Sequence, residues 1–216
     1  MTHPTLVLPL LAPAAFGPLV LFTVVMSITP GPNNAMLASS GLTFGVRRTL
    51  PHLMGVNLGC GLMVLALGLG LGTVFAREPV LYQALKYVGA AYLLGLAWKI
   101  AHAEPPSEEN SAARGQPLTF AQALLFQWVN PKAYVMTAGL IAAYTPQRGF
   151  FGNLLLTAVV CSAVNMPCTG LWMLCGSVLR RWLHRPAAVR IFNIVMALLL
   201  VISLYPVARE LARQLT

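Results

Sequence analysis

Thr29-Pro30-Gly31-Pro32-Asn33-Asn34 lies inside an apolar run that spans residues 16–39. Two prolines within three residues remove two backbone donors and free carbonyls one turn earlier. Pro32 suits the first position of a new half-helix. In hydrocarbon, such a break is tolerated only where its unpaired groups line a cavity or pack on protein. Gln127-Trp128-Val129-Asn130-Pro131-Lys132 repeats the pattern in a later run. Asn130 is a good N-cap, and Pro131 falls at the first helical position.

The surroundings of these stretches set the class of protein. The chain has 216 residues, of which 57% are hydrophobic and only 9% charged. Its mean hydropathy is +0.73. A soluble domain carries about 25% charged residues, so an ordinary soluble enzyme and a disordered chain are both excluded. Lys and Arg number 14 against five acidic residues, for a net charge of +9. The basic residues fall in short gaps between apolar runs, as in cytoplasmic loops, and this argues against nucleic acid as a partner. There is no Asp. Glu78, Glu104, Glu108, Glu109 and Glu210 all lie at the ends of apolar runs or outside them. No carboxylate is therefore expected deep in a membrane.

Six apolar runs are expected as spans, at residues 16–39, 50–75, 80–100, 118–144, 150–179 and 191–208. Each is long enough for a bilayer at about 1.5 Å per residue. The stretch before the first run holds no Lys or Arg. It does not read as a signal peptide, and the first run is expected to be kept as a span. A polar linker at 104–117 divides the chain into two three-helix units, 1–103 and 118–216. Three spans per unit would invert the second unit relative to the first. An offset of 101 pairs Thr29-Pro30 with Asn130-Pro131, Arg47 with Arg148 and Cys60 with Cys161. The expected fold is an all-α membrane protein of six transmembrane helices in two inverted repeats, with helices 1 and 4 broken. In transporters, matched breaks of this kind mark the substrate site. Loop charges favour both termini outside, with eight basic residues inside and five outside.

Lys132 is the only charge deep in any run. A buried cation is costly unless paired, and no carboxylate is at hand. Its partners are expected to be a ligand anion, or else polar side chains and the carbonyls freed at the first break. Two helix N-termini and one cation suit a substrate carboxylate. Asn33, Asn34, Asn57, Gln127, Asn130 and freed carbonyls would then meet an ammonium group. The expected substrate-binding set is Thr29, Pro30, Gly31, Pro32, Asn33, Asn34, Asn57, Gln127, Asn130, Pro131 and Lys132, around a zwitterion. No catalytic residue, metal or cofactor is expected, so the chain does not read as an enzyme. The partners expected are a small amino-acid substrate and the lipid bilayer, with a homodimer left open.

Other features read as packing. Cys161, Cys168 and Cys175 recur every seven residues on one helix face and suit a buried core better than a metal site. Gly68, Gly70 and Gly72 lack the strand–helix context of a dinucleotide fingerprint. Asn165-Met166-Pro167 is a secondary site candidate, and His52 reads as a hydrogen-bonded histidine or a titrating one.

Pro30-Gly31-Pro32-Asn33, Gly45-Val46-Arg47-Arg48, the run from Tyr87 to Ile100 and Asn130-Pro131-Lys132-Ala133 resemble, in order, motifs of the LysE/RhtB family of amino-acid exporters. Gly89-Ala90-Ala91-Tyr92 and Asn193-Ile194-Val195-Met196-Ala197 are most similar to its cysteine/O-acetylserine exporter branch. The resemblance implies proton-driven efflux of small neutral amino acids, of the cysteine, O-acetylserine or homoserine/threonine type, across the inner membrane. Several members carry an Asp in the second span where this chain has Cys60, which weakens any Asp-centred proton relay. A competing reading is a membrane thiol–disulfide carrier using Cys60 and Cys161. The expected topology has a direct check. In a cysteine-free variant, a single cysteine at the C-terminus should react with an impermeant thiol reagent on intact cells, and one near residue 110 should not. The reverse pattern would exchange the two faces.

Overall fold

A computed structural model describes residues 13–103, 116–146, 148–182 and 186–215. The described residues are helical, with no strand among them. Helix α1 is Pro13–Ile28, and α2 is Pro32–Ala66, which bends at Gly45. A π-helical turn at Leu67–Leu71 leads into α3, Gly72–Arg77, and α4 follows at Pro79–Ala101. Helix α5 is Phe120–Phe126, and a 3-10 turn at Gln127–Val129 separates it from α6, Pro131–Tyr144. Helices α7, α8 and α9 are Phe150–Trp182, Pro186–Ser203 and Tyr205–Leu215. Most of the expected linker at 104–117 lies outside the described residues.

Three helices are long and apolar enough to cross a membrane: Pro32–Phe75, Phe150–Arg180 and Ala187–Arg213. Ala14–Ile28 and Phe120–Val129 are shorter apolar helices. The six spans expected from the sequence thus appear in part, and the first and fourth runs are broken as expected. The prolines set α1 apart from α2 and α5 apart from α6, and α1, α5 and α6 are each too short to span alone. The first half-helix of α2 then ends at Gly45, whose φ of 77° lies in the left-handed region that glycine tolerates.

Polarity is inverted relative to a soluble protein. Leu21, Leu58, Val88, Trp98, Leu125, Val135, Phe151 and Leu198 are exposed, whereas Thr23, Asn34, His52, Asn57, Gln127, Asn130, Thr137, Asn165 and Asn193 are buried. Polar groups gathered inside an apolar exterior fit a hydrocarbon surrounding. The main packing joins α2 to α7, with further contacts of α2 with α5, α4 with α8, and α1 with α7. Helices from the two halves of the chain therefore interleave.

Small residues permit this closeness. A Cβ on Gly41 would fall 2.1 Å from the carbonyl oxygen of Met173, and one on Gly176 would fall 2.0 Å from that of Ala38. Backbone meets backbone at this crossing, so neither side chain nor rotamer can give way. Gly176→Ala should force α2 and α7 apart at a cost of about 1–3 kcal/mol. A clear drop in the melting temperature of detergent-purified protein is expected. An unchanged value would mean that this crossing does not hold the bundle.

Candidate functional site

The break between α1 and α2 leaves a defined set of carbonyls without their helical donors. Pro30 has no N–H for Met26, and Pro32 has none for Ile28. Gly31 is fully extended (φ −178°, ψ 179°), and the next helical turn restarts with Ala35 N–H to Gly31 O at 2.9 Å. Each freed carbonyl finds a partner. Thr29 Oγ1 donates to Met26 O at 3.2 Å, and Trp172 Nε1 on α7 donates to Ile28 O at 3.0 Å. Asn34 Nδ2 donates to Ser27 O at 2.7 Å and Thr29 O at 2.8 Å.

Lys132 completes this set from the other half of the chain. Its Nζ donates to Thr29 O at 2.6 Å, Thr29 Oγ1 at 2.8 Å and Pro30 O at 3.3 Å. Three donors thus meet three oxygens. In this structure the lysine caps carbonyls of the first break, which are not left open to a substrate ammonium. The side chain runs across Gly31, where a Cβ would lie 2.6 Å from Lys132 Cδ. Glycine is needed there for the lysine to reach its acceptors.

The second break is satisfied in its own way. Pro131 deprives Gln127 O of its helical donor, and Asn130 N–H takes its place at 3.2 Å. Tyr134 Oη donates to Trp128 O at 2.9 Å, and Asn130 Oδ1 accepts from Lys132 N at 3.1 Å, an N-cap at the start of α6. Close approach of α4 is allowed by Gly89, whose Cβ would fall 2.4 Å from Val129 O.

Asn33 and Gln127 join the breaks by a reciprocal amide pair. Asn33 Nδ2 donates to Gln127 Oε1 at 2.8 Å, and Gln127 Nε2 returns a bond to Asn33 Oδ1 at 3.1 Å. Gln127 is fully buried, and it also donates to Ala123 O and accepts from Cys60 Sγ at 3.6 Å.

Between the two breaks lies a small cavity that is partly open to the outside. Gly31, Asn33, Asn34, Asn130 and Lys132 line it, as do Met26, Ser27, Cys60, Ala133, Met136, Asn165 and Thr169. Five residues expected at the site thus come together on its wall. Thr29 and Pro30 act behind them by holding Lys132, Pro32 and Pro131 start the two helices, and Gln127 is paired to Asn33. Asn57 stands one layer back. It accepts from Asn165 Nδ2 at 2.8 Å and donates to Thr169 Oγ1 at 3.3 Å.

Ser27 and Thr169 were not anticipated from the sequence. Each looks ordinary in its run, and only the packing of α1 and α7 turns them inward. Ser27 Oγ and Asn34 Oδ1 are buried and have no hydrogen-bond partner. Both belong to residues on the cavity wall. No side chain caps the N-terminus of α2, which leaves its first N–H groups available to an anion.

The residues 24–205 match the family model described as LysE type translocator. Among curated proteins, the cysteine/O-acetylserine efflux protein of Salmonella typhimurium is 33% identical over 184 residues, covering 83% of this chain and 90% of the relative. The cysteine/O-acetylserine efflux protein of Escherichia coli K12 is 31% identical over 182 residues, with the same coverage. No solved structure matches the chain significantly.

The lysine contact has a measurable consequence. Lys132→Met removes charge-assisted bonds worth about 1.5–3 kcal/mol. The melting temperature of purified protein should fall by several degrees, at about 2–4 °C per kcal/mol for a chain of this size. No change in melting temperature would show that Lys132 does not hold the two breaks together.

Proposed function

This chain belongs to the LysE type translocator family, and on that premise we propose that it exports small neutral amino acids or close derivatives across the inner membrane. Cysteine, O-acetylserine and the homoserine/threonine type are the substrates to test first. Relatives that share 31–33% of their aligned residues with it are named as cysteine/O-acetylserine efflux proteins. The single observation that carries the reading is the cavity between the two breaks. It pairs a cation and an uncapped helix N-terminus with two unpartnered oxygens. The substrate carboxylate meets the N–H groups that open α2 and takes up the donor that Lys132 spends on its longest contact, Pro30 O. The ammonium group meets Ser27 Oγ and Asn34 Oδ1.

The proposal includes six spans in two inverted three-helix repeats, 1–103 and 118–216, with both termini outside and the proton gradient as driving force. Contacts between α2 and α7 support the inversion. Leu53–Gly170, Asn57–Asn165, Gly61–Ser162 and Gly68–Leu154 step in opposite directions along the two helices. Gly61 and Ser162 are themselves related by the offset of 101, so a two-fold axis between the repeats would pass near them. Packing of α1 on α7 corresponds to that of α5 on α2. Each repeat runs from a broken helix through a glycine with positive φ, Gly45 or Gly149, into a long helix.

A second reading, thiol–disulfide transfer, has one observation in its favour. Cys60 lines the cavity, and it shares a buried cluster with Cys161. One experiment addresses both readings. Cells making or lacking the protein are compared for export of an amino-acid panel, and the cysteine-free variant is tested alongside. We expect export of small neutral amino acids, retained without any cysteine. Absence of export from the whole panel would overturn the transporter reading. Loss of function confined to the cysteine-free variant would favour the thiol carrier.

A further inference from the structure

A proton-driven transporter needs a group inside the membrane that takes up and gives up a proton, and the usual carboxylates are missing here. All five acidic residues lie at the ends of apolar runs or beyond them. The Lys132 ammonium is engaged with three oxygen acceptors at the first break. The Cys60 thiol is engaged with Gln127. His52 differs from these. It is fully buried on α2, seven residues past the Gly45 bend. Its Nδ1 lies 3.2 Å from Ser40 Oγ, and its Nε2 is buried with no hydrogen-bond partner among the described residues.

We infer that His52 carries the coupling proton of the transport cycle, an inference that rests on the exporter reading above. The geometry of the ring and its placement support it. A neutral imidazole can satisfy Ser40 through Nδ1 and leave Nε2 bare. The charged ring has two N–H donors, and this arrangement supplies an acceptor for one. Uptake of a proton at Nε2 therefore favours a different arrangement of the helices around it. Only an N–H bond forms and breaks, with one proton taken up from one side and released to the other.

Ser40 connects this event to the cavity. It belongs to the same half-helix of α2 as Asn34, six residues further on, or about 9 Å along the axis. A change in the His52–Ser40 contact moves the element that carries the substrate-facing amides. The neighbouring elements carry a definite set of charged and titratable groups. Helix α5 has none. Helix α7 carries Cys161, Cys168, Cys175, Arg180 and Arg181, α6 carries Lys132, Tyr134 and Tyr144, and α8 carries Arg190. On α4 stand Lys86, Tyr87, Tyr92 and Lys99 beside Tyr82, and on α2 itself Arg47, Arg48 and Cys60. The Arg180 guanidinium sits at the Gly45 bend, where it meets the space a Cβ would fill at 3.3 Å.

The test uses full-length protein in proteoliposomes with radiolabelled cysteine under reducing conditions. Two activities are read: accumulation driven by a pH gradient, and exchange of labelled for unlabelled cysteine without one. His52→Gln and His52→Asn keep a neutral polar side chain and cannot cycle a proton. Gradient-driven accumulation is expected to fall by about tenfold or more, with exchange retained, because substrate binding and reorientation stay possible once coupling is lost. Accumulation at the wild-type level in either variant overturns the role of His52. So does loss of both activities in monodisperse variants, which marks a structural histidine. Wild-type protein that exchanges cysteine but ignores the pH gradient overturns the inference together with the proton drive, and leaves amino-acid export itself intact. Wild-type protein that moves neither cysteine nor any other amino acid of the export panel in either assay removes both.

Discussion

Every backbone carbonyl freed by a proline in an apolar surrounding must find a donor, and the core of this molecule is arranged around that need. Pro30 and Pro32 strip the end of α1 of its helical donors. Thr29, Asn34, Trp172 and Lys132 replace them, one from each of four places in the chain. Two of the four come from beyond residue 130. The first break is therefore stable only when α6 and α7 are packed against it. Local sequence opens the helix, and tertiary structure has to close the hydrogen-bond account.

The same economy explains where glycine is found. Gly31 lets Lys132 cross to its acceptors, Gly89 lets α4 approach Val129, and Gly41 with Gly176 allows α2 and α7 to touch at the backbone. Without a hydrophobic drive between helices in lipid, close van der Waals contact supplies much of the association. Bulky apolar residues are correspondingly turned outward.

The cavity is a by-product of this arrangement with chemical consequences. Two helix starts face each other across it, joined by the Asn33–Gln127 pair and by Lys132. Most polar groups at the breaks are satisfied internally, but Ser27 Oγ and Asn34 Oδ1 are not. The lysine ties the second break to the first, through Thr29 and Pro30.

The sequence by itself determined the helical class, the two breaks and the residues that start each new helix. These follow from local rules: proline has no N–H, asparagine caps, and 9% charge cannot cover a soluble globule. It also singled out Lys132 as a cation in need of partners and offered two sets for it. Only the tertiary structure decided that carbonyls of the first break hold it here, since those acceptors stand about a hundred residues away. Packing likewise brought Asn33 to Gln127, set Asn57 behind Asn165, and turned Ser27 and Thr169 inward. Which side of a uniformly apolar helix faces a neighbour is a property of the neighbour. A run in which nearly every residue tolerates lipid carries no periodic signal to reveal it.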